Sequence, residues 1–223
     1  MSTNTSGVSI QSAFSEGIMS VLSSLSFYSP IITIVSVFVF SIFTGSTVKA
    51  WWYFLWLFVI TFIRIIVFKS TGAKDNPNMN PECLKGLTQI FVPQDVTYST
   101  YLLSFTLMYF ILPMFMVSQQ NKVNVINYSV LGFFIAYIIL DLFIKSSYRC
   151  IPTFFSQLVI GSLVSGLFLG GIVAGVVMYG SSLRSYLFIN EANTTKEVCS
   201  MPTKQQFKCS VYKNGELVGS TIN

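Results

Sequence analysis

Apolar stretches of bilayer length alternate along this chain with short polar turns, and that alternation predicts most of its architecture. From Phe155 to Tyr179 there are 25 residues without a charge. A hydrocarbon core about 30 Å thick requires about 20 helical residues to cross it, so this stretch reads as a membrane span. Four earlier stretches read the same way, giving spans over about 28–43, 50–68, 98–117, 125–144 and 155–180. Pro30 opens the first span, where a missing N–H costs least, and its short apolar core calls for tilt or local thinning of the bilayer. Trp51, Trp52, Tyr53 and Trp56 anchor the second at one interface, and Pro113 predicts a kink late in the third.

Ahead of the spans, Phe14, Ile18, Val21, Leu22 and Leu25 recur at steps of three and four, with Ser12, Ser15, Glu16, Ser20 and Ser23 between them. This spacing predicts an amphipathic helix over Val8–Leu25 lying in the membrane interface. Met1–Gly17 carries no Lys or Arg, so it does not read as a cleavable signal peptide, and the first span is expected to act as an uncleaved one. After Gly180 the chain turns polar. Asn214-Gly215 is a strong hairpin signal between the strand-like runs Phe207–Tyr212 and Glu216–Val218. Such a hairpin is marginal alone. A Cys199–Cys209 disulfide, closing about ten residues and contributing roughly 2–3 kcal/mol, would staple it. The expected fold is therefore an all-α membrane protein. Residues 1–27 form the polar N-terminus and interfacial helix, residues 28–180 a bundle of about five transmembrane helices, and residues 181–223 a tail with a short β-hairpin.

Five spans place the termini on opposite faces. The N-terminus, the 70–97 loop and the 145–152 turn share one face, here the loop face; the 44–49 turn, the 118–124 turn and the tail share the other, the tail face. Lys69, Lys74, Lys85, Lys145 and Arg149 belong to the loop face, and Lys49, Lys122, Arg184 and Lys196 to the tail face. Five cations against four make the loop face the expected cytoplasmic one by the positive-inside rule. Cys83 and Cys150 share the loop face and can pair only if it is oxidising, which conflicts with a disulfide in the tail. Glycosylation triplets at Asn4 and Asn193 fall on opposite faces, and the one at Asn127 lies too near the membrane, so none is given weight.

Composition narrows the chemistry. Only 9% of residues are charged, against 52% hydrophobic and 16% aromatic, where a soluble domain has roughly 25% charged. The net charge of +5 suits anionic lipid headgroups and is too diffuse for a nucleic-acid surface. There is no His, which removes the commonest general base and metal ligand. The four cysteines, at 83, 150, 199 and 209, form no CxxC pair, and a zinc site would need all four to meet across the membrane. No Walker-type loop, dinucleotide fingerprint or potassium-filter sequence is present. No catalytic residue, cofactor or metal is expected, and the chain is not read as an enzyme.

Two kinds of residue stand out within the spans. Arg64 and Asp141 are the ionisable side chains well inside apolar runs. Each precedes a basic residue (Lys69 and Lys145) by four or five positions, so they are expected at similar depth as an interhelical ion pair. Such a charge costs about 2.5–3.5 kcal/mol at a helix centre. The alternative use of the two is an ion or proton path. In the last span Ser162, Gly166 and Gly170 stack on one face, and Gly171 and Gly175 on a neighbouring one. These small residues allow close helix packing, within the bundle or between copies in a homo-oligomer.

The tail segment Phe207-Lys-Cys-Ser-Val-Tyr-Lys-Asn-Gly-Glu-Leu-Val resembles the ends of small multi-span membrane proteins of large icosahedral DNA viruses. The His-free character of the chain, rich in Phe, Ile, Ser and Asn, is similar as well. The resemblance covers about 25 residues of tail. It implies a component of the membrane beneath a viral capsid, or of a host endomembrane, with the tail meeting capsid proteins. The expected function is a structural, multi-pass scaffold in the lipid bilayer that docks partner proteins through its tail and 70–97 loop. The rival is a small ion channel or transporter using Arg64 and Asp141.

Overall fold

The computed structural model describes residues 10–70, 83, 92, 95–121, 126–151, 153, 155–180 and 183–189, with side chains from residue 17 of the first helix, together with the backbone strands 208–213 and 216–222. Among the described residues, six α-helices follow one another: α1 Ile10–Phe27, α2 Ser29–Phe43, α3 Thr47–Ser70, α4 Tyr98–Asn121, α5 Tyr128–Ser147 and α6 Gln157–Tyr179. Four of them, α3 to α6, are long and apolar enough to cross a membrane. The chain is thus an all-helical, multi-pass protein in its body.

The first expected span is the one that changes. Helix α2 has 15 residues and reaches only about 22 Å at 1.5 Å per residue. It joins α1 through a bend of 74°, and the pair supplies a fifth crossing only when the two are taken together. Pro30 explains the break. It has no N–H for the Ser26 carbonyl one turn earlier, and its ring crowds that carbonyl. The chain then turns at Thr44–Ser46, where Gly45 takes φ +66°, a conformation without penalty for a residue lacking Cβ.

Helix α4 occupies the centre. Its apolar stretch is mostly buried, whereas those of α3, α5 and α6 are mostly exposed at the bundle surface. Tyr98, Tyr101, Leu102, Phe105 and Tyr109 are all at most 1% exposed. Towards the tail face its core is aromatic: Tyr53 lies 5.4 Å from Tyr109, and Phe110 stacks at 5.4 Å on Phe188. Phe188 belongs to a short segment after α6 in which Leu187, Phe188 and Ile189 are all buried. The body therefore extends beyond Gly180, because three apolar residues in a row return to cover the end of α4.

Local caps set the ends of the two remaining spans. The Asn127 side chain accepts the N–H groups of Ser129 and Val130 and starts α5, and Ser156 does the same for α6 through Val159. Such caps satisfy N–H groups that a helix leaves orphaned. At the other end of α5, the Arg149 N–H bonds to the Ser146 carbonyl at 3.0 Å and the Cys150 N–H to the Lys145 carbonyl at 2.8 Å. This is a Schellman closure, with Arg149 at φ 57° where glycine is usual.

The second unit, Thr194–Asn223, carries strands β1 Lys208–Lys213 and β2 Glu216–Ile222, paired antiparallel from Lys208 opposite Ile222 to Lys213 opposite Glu216. Cys199, the Cys209 side chain and Asn214-Gly215 lie outside the described residues, and the expected staple with them. So do the triplets at Asn4 and Asn193.

Candidate functional site

The polar groups inside the bundle converge on the first turns of α4. Asp95 precedes the helix, and its Oδ1 accepts the Thr97 N–H at 3.0 Å and the Thr97 hydroxyl at 2.8 Å. Closing a turn on its own backbone is a local habit of Asp, and here it leaves Oδ2 facing α3. Arg64 donates to that oxygen from Nε at 2.7 Å. Its Nη2 donates to Thr97 Oγ1 at 3.0 Å and to Ser162 Oγ of α6 at 2.8 Å. The guanidinium also lies 5.2 Å from the Tyr101 ring centre, in cation–π range. One cation thus ties α3, α4 and α6.

A second centre lies on the opposite flank of α4. Asp141 of α5 is fully buried. Its Oδ1 accepts Ser26 Oγ of α1 at 2.7 Å. Its Oδ2 accepts Ser99 Oγ at 2.7 Å, Thr100 Oγ1 at 3.1 Å and Lys145 Nζ at 3.0 Å. Lys145 also donates to the Val96 carbonyl at 2.8 Å and to Ser99 Oγ. Three acceptors match the three N–H groups of an ammonium. The charge is thereby satisfied at 2% exposure.

The expected Arg64–Asp141 pair is not formed. Helix α4 stands between the two, with Tyr98 bonded at 2.8 Å to Thr61 of α3 while Ser99 and Thr100 bond α5. Each residue finds a nearer partner: Asp95 in the loop before α4 for Arg64, and Lys145 one turn on in the same helix for Asp141. Lys145, read as an interface marker, is a core residue. Two signals pointed this way. An acid four positions ahead of a Lys favours pairing on one helix face, and Asp95-Val-Thr97 is a helix-start pattern.

Among the small residues of α6, Gly166 and Gly170 lie against α4. A Cβ at Gly166 would overlap Ser104 Oγ and the Tyr101 carbonyl, and one at Gly170 would sit 2.5 Å from the Phe105 carbonyl. Ser162 shares that face and adds a hydroxyl to the Arg64 centre. A Cβ at Gly171 would meet α4 only through side-chain atoms, Cγ and Cε of Met108 at 3.7 Å, and one at Gly175 would meet nothing within 4 Å.

Just above both centres, Cys83 and Cys150 form a disulfide. It packs with Val96, Ile151 and Val159 in one apolar cluster. Val96 is also the residue whose carbonyl receives Lys145, so the bridge caps the hub directly. Towards the tail face, a groove of about 370 Å³ between α2, α4 and α5 is lined by Val37, Phe40, Phe110, Val130 and Phe133. Compared with known proteins, the chain matches no family model, no curated protein and no solved structure. Its class rests on its own helices: a multi-pass helical membrane protein.

Proposed function

We propose that this chain is a structural scaffold embedded in a membrane, holding partner proteins through its 70–97 loop and its C-terminal tail. One observation carries the reading: Arg64 pairs with Asp95 and Lys145 with Asp141, and their further bonds to hydroxyls of α1, α4 and α6 tie five helices together, α3 supplying Arg64 and α5 supplying Asp141 and Lys145. Groups so committed serve as interhelical glue. An ion or proton path needs a group that can exchange partners, and the two centres would have to break bonds to supply one. Within this reading, the tail's resemblance to proteins of large icosahedral DNA viruses makes the membrane beneath a capsid the setting and capsid proteins the partners.

The test is purified protein in proton- and cation-loaded liposomes, wild type beside Asp141→Asn. The scaffold reading expects no flux from either, with a lower yield of folded protein for the variant. Wild-type flux that disappears in an equally abundant Asp141→Asn protein would establish the transporter instead.

A further inference from the structure

We infer that the loop face of the bundle looks into an oxidising compartment and the tail face into a reducing one, the reverse of the orientation that counting cations predicts. This rests on helices α3 to α6 and not on the scaffold reading. The C-terminal ends of α3 and α5 and the starts of α4 and α6 lie on the loop face. Cys83 and Cys150 meet there. The bridge joins two distant segments, 67 residues apart in sequence, and both cysteines are buried, at 3% and 7% exposure. A bridge of that kind is built into the core and is not an exposed, exchangeable pair. Thiols facing a cytosol stay reduced, whereas those facing a lumen, periplasm or exterior oxidise.

The second observation removes the objection. The cytoplasmic vote for the loop face depended on one extra cation, and Lys145 supplied it. With Lys145 2% exposed and its charge matched by Asp141, it no longer acts at the surface. Lys69, Lys74, Lys85 and Arg149 then stand against Lys49, Lys122, Arg184 and Lys196, and the rule favours neither face. The redox argument decides alone. It also makes Cys199 and Cys209 thiols, since two bridges on opposite faces are incompatible with ordinary compartments, and any partner of the tail meets it on the reducing side.

The experiment is membrane-impermeant PEG-maleimide labelling of the wild-type chain in sealed vesicles with the cytosolic face outward, each cysteine being read by mass spectrometry. Cys199 and Cys209 should label from outside at once. Cys83 and Cys150 should label only when detergent and reductant are both present. Labelling of Cys83 or Cys150 from outside overturns the orientation, as does protection of Cys199 and Cys209. Labelling of Cys83 and Cys150 in detergent without reductant overturns the disulfide on which it stands.

Discussion

On one flank of α4, Gly166 and Gly170 let α6 approach until the Tyr101 and Phe105 carbonyls occupy the space a side chain would take. On the other, Asp141 and Lys145 of α5 reach across a wider gap to Ser99, Thr100 and the Val96 carbonyl. The first seam works by removing atoms and the second by adding charge. Both answer the same problem: lipid is as apolar as the helices, so burial alone gives no reason to associate. The glycine seam depends on shape and tolerates no added volume. The ionic seam depends on completeness, because every group removed leaves another unsatisfied where no water can reach it.

The sharpest way to break this contrast is at the ionic seam. Asp141→Asn leaves the Lys145 ammonium without its counter-charge and should lower stability by about 3–5 kcal/mol, the usual consequence of removing one partner of a buried pair. Adding Lys145→Met to Asp141→Leu should be much less harmful than the two single losses combined, with a coupling of about 1–3 kcal/mol. Unfolding in micelles followed by steric trapping measures both, and additive losses would mean that the pair is not a unit.

The glycine seam gives a smaller effect with sharp position dependence. Gly166→Ala, forced against a carbonyl, should cost about 1–3 kcal/mol, whereas Gly175→Ala, facing open space, should stay within about 0.5 kcal/mol. Equal effects at the two positions would remove shape as the explanation. Smallest is the cap that delivers Cys150 to its partner. Arg149→Gly relieves a left-handed residue and should gain about 1 kcal/mol, read as a rise in Tm under oxidising conditions.

The α6 face carrying Ser162, Gly166 and Gly170 was legible because small residues at steps of four need no neighbour to define them. Gly171 and Gly175 show the limit, since the same spacing on a neighbouring face meets only side-chain tips or nothing. Arg64 and Asp141 were legible as exceptional residues but not as partners. Depth along a helix can be counted from sequence, but rotation about the bundle axis cannot, and α4 between them settles that. Asp95 was passed over because it lies in a loop, although a loop entering a central helix is carried into the core with it.

By itself the sequence determined what local composition and period determine: apolar helices of bilayer length, the proline that opens α2, and the small face of α6. Those properties are decided within a few turns by hydrogen bonding and transfer to hydrocarbon. Tertiary structure alone decided that α4 is central, that Lys145 is internal, and that Cys83 meets Cys150 across 67 residues. Each of these depends on which helix lies beside which, and in lipid that choice falls to close contacts and completed hydrogen bonds, which no single segment contains.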